Sequence, residues 1–262
     1  MNDGYLGTGR KDTDYIAGTL PYQVVLESGD WRPYLPTGER QSNYKGDSMS
    51  CVSFSALNVI ETQEFKLTGQ RVNYSDRWLA KISNTQPEGN YLITVVDAIR
   101  EFGLVLEEDY PAPPAPWTWY DYHKTIPEPL LSQLKAKGQA WKKKWGVGYE
   151  WIDIQTELHT HLKHAPMQTV LPGHAVAAAK QDVIYLDTYE PFIKEKPKSA
   201  FASTLKIVLT PKNMNQTRLV LSKDGHTVYR CEPVATTFED LKKQMGVIGV
   251  NVPNPIPPSS DL

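Results

Sequence analysis

Residues 110–127, YPAPPAPWTWYDYHKTIP, are so crowded with proline and aromatic side chains that regular structure is not expected in them. They read as a surface-hugging connector, and they divide the chain into parts of different character. On the N-terminal side the apolar spacing is helical. Residues 51–64 carry Val52, Leu57, Val59 and Ile60 among small residues, without Gly or Pro, which predicts a largely buried helix. A second helix is predicted in YSDRWLAKIS, capped by Asn73 or Ser75. A third is predicted in NYLITVVDAIREFG, where Ile93, Val96 and Ile99 recur at three-four spacing and Gly103 ends the run.

Beyond the connector, a polar helix or a pair of short helices is predicted between 128 and 145, and another over 152–164, closed by Pro166. The pattern then changes to short runs rich in Val, Ile and Tyr, namely MQTVL, HAVAAAK, DVIYLDTY and LKIVLT, bounded by turn residues. The fold class is therefore α+β, with a helical first part and a β-rich second part. Three regions are expected: an N-terminal arm over 1–27, a main domain over 28–209, and a C-terminal extension over 210–262. In the extension, TRLVLSKDG and HTVYRC predict a strand pair turning at Asp224 and Gly225. A short helix opening with a capping pattern at Thr237 to Asp240 follows, and then a Pro-rich tail.

Composition removes several function classes. With 40% apolar and 22% charged residues the chain is that of a folding protein, and a net charge of −2 gives no global attraction to a nucleic acid. KAKGQAWKKKW, residues 135–145, reads as a solvated helix with Trp141 and Trp145 packed inward, in preference to an RNA-contacting patch. No run approaches the roughly eighteen apolar residues of a membrane span, so no membrane insertion is expected. The N-terminus lacks a classical secretion signal. Two cysteines, Cys51 and Cys231, exclude a disulfide framework and suit a cytoplasmic setting or a particle assembled in one. His159, His161 and His164 are spaced so that one helical face cannot hold all three, and neither a metal nor any other cofactor is expected. No phosphate-binding glycine loop is present.

Three residues carry possible chemistry. Cys51 opens the first predicted helix, where a helix N-terminus favours a thiolate and the backbone amide is one of the unpaired donors of the first turn. The competing reading is core packing, since cysteine is among the most buried residue types, but the polar approach KGDSMS favours access from solvent. His174 sits between Gly173 and the small-residue run AVAAA; a structural histidine is the competing reading there. Asp187 ends DVIYL, where a carboxylate can take the second imidazole proton and hold one tautomer.

Together these segments resemble the papain-like (C1-type) cysteine peptidases. CVSFSALNVIE is similar to the family's active-site helix, and GHAVAAA followed by VIYLDTYEPF is similar to its histidine strand and the strand of the orienting residue. GNYLITVVDAIREFGLVLEEDYP resembles the family segment between them, and DWR at 30–32 resembles the start of the mature domain. The resemblance runs in order over residues 28–205. It implies a two-lobed fold with a helical N-terminal lobe and a β-rich C-terminal lobe.

Carried over by residue, the resemblance makes Cys51 the nucleophile, His174 its base, and Asp187 the counterpart of an orienting Asn. Gln41 resembles the oxyanion-hole glutamine with a loop four residues longer, since Lys45 holds the usual place. Gly89 and Asn90 match the stretch beside extended substrate, and Gly173 leaves room for a side-chain pocket. The implied activity is a cysteine endopeptidase acting on a peptide or protein. SMSCV replaces the family's CGSCW, with Ser48 where a bridged cysteine usually stands, so the pattern resembles the sparse-cysteine bacterial or bacteriophage relatives. The alternative is a catalytically inactive member of the fold serving as a structural or assembly protein, such as a bacteriophage virion component bound to other virion proteins.

Overall fold

The computed structural model describes residues 4–7, 9, 24–212, 218–221 and 228–231. The chain divides into two compact units, Met1–Thr210 and Pro211–Leu262.

Helix α1 (Cys51–Thr68) is the centre of the first unit, and it ends where Gly69 turns left-handed at φ 72°. It is buried on nearly every side, so its polar side chains must find partners inside. Ser55 Oγ donates to the Cys51 carbonyl at 2.7 Å. Gln63 Nε2 donates to Ile207 O at 2.9 Å, and its Oε1 accepts from Leu209 N at 3.0 Å. Around α1 pack α2 (Asp76–Ile82) and α3 (Leu92–Phe102). Ser75 caps α2 by accepting from Trp78 N at 3.0 Å, and Gly103 closes α3. Gly103 also lets α5 (Glu128–Lys144) come close: a Cβ there would lie 2.0 Å from the Gly138 carbonyl oxygen. Trp141, on α5, donates its indole N–H to Tyr74 Oη at 2.8 Å and is packed inward, as is Trp145.

The second lobe is a six-stranded sheet in the order β5-β10-β6-β7-β8-β9. Its strands are β5 (Trp145–Ile152), β6 (Met167–Leu171), β7 (His174–Ala178), β8 (Ile184–Leu186), β9 (Ile193–Glu195) and β10 (Thr204–Pro211). β6 and β7 form a tight hairpin that pairs Leu171 with His174, with Gly173 at φ 75° in the turn. Helix α1 packs directly on β7, and Gln168 of β6 donates to Val52 O at 2.8 Å. Full burial of Val52, Leu57 and Ile60 contributes about 1.5–3 kcal/mol for each such side chain.

The sequence reading needs two corrections here. The helix predicted over 152–164 is confined to α6 (Leu158–Leu162), because β5 runs to Ile152 and Asp153 holds a turn behind it. Asp153 Oδ1 accepts from Gln155 N at 2.9 Å and Oδ2 accepts from Thr156 Oγ1 at 2.9 Å, so the side chain competes with the helix. Nor is the Pro-rich connector wholly irregular. Once past Pro116, Thr118 and Asp121 form a capping box that opens the one-turn helix α4 (Trp119–Tyr122).

Two further pairs are small. β2 (Ser42–Asn43) and β3 (Gly46–Asp47) form a hairpin before α1, and β1 (Tyr5–Gly7) pairs in parallel with β4 (Asn90–Tyr91). In the second unit Arg218–Leu221 and Val228–Cys231 form an antiparallel ladder. The predicted Asp224–Gly225 turn, the helix from Thr237 and the Pro-rich tail lie outside the described residues.

Candidate active site

Cys51 is the first residue of α1, reached through Met49, whose φ of 55° is unusual for a residue with a side chain. That approach is fastened from several directions. Asp47 Oδ1 accepts from Met49 N at 2.6 Å, and the His123 ring lies 2.9 Å from the Ser48 carbonyl through Nε2. Burial lowers His123 to about 4, so near neutral pH the ring is uncharged and Nε2–H donates to that carbonyl. Trp119 stacks on the imidazole at 4.4 Å.

The sulfur of Cys51 accepts a hydrogen bond from the Ala175 amide at 3.4 Å. An N–H aimed at sulfur stabilises the anion more than the thiol. It also sets the sulfur against the strand residue next to His174, so the first helix of one lobe and the second hairpin strand of the other meet here. His174 Nε2 lies 2.8 Å from Asp187 Oδ1. Among the described residues its Nδ1 is buried without a hydrogen-bond partner. With a proton on Nε2 directed at the carboxylate, Nδ1 keeps its lone pair and can act as a base.

Burial raises the Asp187 carboxyl, but hydrogen bonds and charge from His174 and Lys194 outweigh it and hold the group at about 2. The carboxylate is held by more than the imidazole. Oδ1 also accepts from Thr188 N at 2.6 Å and Tyr189 N at 3.2 Å, and Oδ2 accepts from Lys194 Nζ at 2.8 Å. The Tyr189 ring lies 5.3 Å from the His174 ring, tilted by 40°.

Gln41 is fully buried, and its amide is engaged nearby. Its Nε2 donates to Asp47 Oδ1 at 3.0 Å and to Tyr189 Oη at 2.8 Å, while Oε1 accepts from Thr188 Oγ1 at 2.8 Å. Gln41 thus ties the approach to α1 to the turn after Asp187. Donation to an oxyanion requires that it give up one of those two acceptors. The glycine at 173 is explained by the hairpin turn itself.

The backbone at Gly89 and Asn90 is lined by an extended segment of the same chain. Asn90 N donates to Gly4 O at 2.8 Å, and a Cβ on Gly89 would fall 1.9 Å from that oxygen. Gly4 itself presses on Met49, where a Cβ would be 2.2 Å from the carbonyl oxygen. Tyr5 packs against the core cluster that includes Cys51, and burial raises its hydroxyl. Cys51 is fully buried, and His174 and Asp187 are nearly so. The Asn90 side chain is structural, donating to Ser83 O, Ser83 Oγ and Thr85 Oγ1.

Among the described residues no group of three or more His, Cys, Asp or Glu side chains is placed to hold a metal. His161 is instead drawn to Lys206, 3.1 Å away, beside Glu150. No described helix is long and apolar enough to cross a membrane. Lys194 and Asp47 were not singled out by sequence. The cue for Lys194 was the acid at 187 itself, since a buried carboxylate calls for a cation.

No protein-family model matches the chain, and no curated protein matches it. Solved structures do. Xylellain, a cysteine protease from Xylella fastidiosa, aligns with a TM-score of 0.54 at 12% identity, over 79% of this chain and 96% of that one. Digestive procathepsin L 3 of the Tenebrio molitor larval midgut aligns with a TM-score of 0.50 at 12% identity, over 79% and 76%. At this identity the likeness is one of fold: the chain has the two-lobed papain-like architecture, helical in its N-terminal lobe and sheet-rich in its C-terminal lobe.

Proposed function

We propose that this chain is a cysteine peptidase in which Cys51 is the nucleophile, His174 the base and Asp187 the group that orients the imidazole. The observation that carries this reading is the Ala175 amide on the Cys51 sulfur, which sets the thiol one residue along β7 from a histidine already held by a buried carboxylate. His174 Nδ1 takes the Cys51 proton, and the sulfur attacks a peptide carbonyl. The developing oxyanion is met by the amide of Cys51, with Gln41 as a second donor if it releases Tyr189 or Asp47. The C–N bond then breaks as the imidazolium gives its proton to the leaving amine, and water hydrolyses the thioester.

For substrate to enter, strand β1 has to leave. It lies along Gly89–Tyr91 and against Met49, on the backbone that the resemblance assigns to extended substrate. The partner is therefore a peptide or protein in extended form, which would replace β1 on Asn90.

Full burial of Cys51 favours a second reading, in which the chain is a noncatalytic member of the fold used in assembly. A place in a bacteriophage particle rests on the sequence resemblance alone. The test is alkylation of the folded chain with iodoacetamide, mapped by mass, alongside hydrolysis of a peptide library. Labelling of Cys51 faster than of the denatured chain, and loss of hydrolysis in Cys51→Ala, support the enzyme. Native Cys51 that stays unlabelled even after β1 is displaced sinks it.

A further inference from the structure

We propose that Lys194 is a positioning residue for the catalytic histidine: its ammonium offsets the Asp187 charge, so that the pair presents His174 with a nearly neutral hydrogen-bond acceptor. This inference rests on the catalytic reading of Cys51 and His174.

The geometry is that of a relay with two ends. Oδ1 of Asp187 faces His174 Nε2 at 2.8 Å and Oδ2 faces Lys194 Nζ at 2.8 Å, so each oxygen carries one cationic or potentially cationic donor. Lys194 sits on β9 opposite Tyr185 in register, next to the end of β8 where Asp187 emerges. Its side chain is 26% exposed while that of Asp187 is 5% exposed, so the pair is shielded at the carboxylate and wet only at the ammonium. Several other groups around the carboxylate, all among the described residues, are neutral. They are the amides of Thr188 and Tyr189, the Tyr189 ring, and Tyr185, whose hydroxyl is pushed up to about 12 by burial and by the Asp187 charge. Asp47 is a step further out, on the Tyr189 hydroxyl.

A buried carboxylate beside an imidazole favours the imidazolium, and most strongly when no other cation shares its charge. The ring must gain a proton from sulfur and then surrender it to the leaving amine, so a partner that locks the charged form slows the second transfer. A neutral amide in this place would avoid the difficulty. Here an acid is used, and the cation on its far oxygen restores the balance. Lys194 touches neither substrate nor sulfur, so its effect reaches the reaction only through Asp187.

The experiment uses the full chain and four variants: Lys194→Met, Lys194→Arg, Asp187→Asn and the double Asp187→Asn/Lys194→Met. Two readouts are taken across pH 4–10: the iodoacetamide alkylation rate of Cys51, and the ¹⁵N chemical shifts of the His174 ring. In Lys194→Met the alkaline inflection of both profiles is expected to move up by about one pH unit, the size of one uncompensated charge at this range. Lys194→Arg restores the parent profile, and in the Asp187→Asn background, where no carboxylate holds the ammonium near the ring, the Lys194→Met shift is expected to shrink. Ring shifts that titrate identically in the parent chain and in Lys194→Met overturn the proposal, whatever Cys51 does. A Cys51 that never alkylates while the ring profile moves as expected overturns the peptidase reading and leaves the charge compensation standing.

Discussion

His174 and Asp187 stand 13 residues apart on adjacent strand ends, with Nε2 and Oδ1 2.8 Å from each other and both side chains buried. The bond fixes the ring before any substrate arrives. Asp187→Ala is therefore expected to cost roughly ten-thousandfold in kcat, as when a triad acid is removed, whereas Asp187→Asn can still accept the Nε2–H hydrogen bond through its amide oxygen and is expected to lose less. Steady-state rates of the two variants on one peptide check this, and equal losses for Ala and Asn would count against an orienting role.

Gly4 allows β1 to lie against Met49, and a larger side chain there has nowhere to go. Gly4→Val is expected to expel β1 while leaving Cys51, His174 and Asp187 intact, and so to raise the Cys51 alkylation rate at least tenfold, the change that accompanies about 1.4 kcal/mol of lost occlusion. An unchanged rate, with hydrogen exchange at Asn90 N also unchanged, would show that the strand does not guard the thiol.

Stability should fall from mildly acid to mildly alkaline pH. Burial pushes Glu107 up to about 7, above its ordinary 4.5, and it moves Glu61 and Asp76 the same way. The folded chain thus keeps a proton that the unfolded chain releases: the stabilisation is complete below about 4.5 and disappears as pH rises through about 7. Asp187 acts at the other end. Its folded value of about 2 lies below the ordinary 3.8, so its contribution is present above 3.8 and is lost as pH falls through 2. His123 opposes the carboxyls below neutral pH: its folded value of about 4 lies below the ordinary 6.5, so its contribution is complete above 6.5 and is lost as pH falls through 4. The melting temperature is therefore expected to be highest between about pH 5 and 6.5 and to decline toward pH 8, with a shallower decline in Glu107→Gln. A melting temperature that climbs from about pH 6.5 to 8 would contradict the carboxyl assignments.

Lys206 and Glu150 form an ion pair in the sheet, 1% and 0% exposed, with His161 beside the ammonium. Removing one charge strands the other, so Lys206→Met is expected to destabilise by about 3–5 kcal/mol, while Lys206→Met/Glu150→Leu recovers most of the loss. Urea unfolding of the two variants decides it; a single variant within about 1 kcal/mol of the parent would mean that the pair is not buried in solution.

Much of this fold is legible in sequence because its helices announce themselves by period and cap: Ser75 and Gly103 stand where the chain needs them. Cys51, His174 and Asp187 stood out in sequence because few residue types offer a nucleophile, a base and an acceptor, and the structure gathers them through the Ala175 amide and the His174–Asp187 hydrogen bond. Strand β5 was hidden by the basic helix before it and by a helix-like run after it; only the alternation of Trp145, Tyr149 and Trp151 with smaller residues marks it, and the Asp153 turn that separates it from α6 is a side-chain effect that periodicity does not record. Lys194 was hidden for another reason. One more lysine among many carries no sign of its partner until β8 and β9 bring it across from Tyr185. The engagement of Gln41 with Thr188 and Tyr189 depends likewise on contacts between segments nearly 150 positions apart.

Helix α1 is clamped to the sheet at both ends of its buried length, by Gln168 on Val52 and by Gln63 on Ile207 and Leu209. A helix pinned in that way resists rocking of one lobe on the other. Access to the sulfur then falls to what lies on top of it, so the opening energy belongs to a few removable residues of β1 and not to a movement of the lobes.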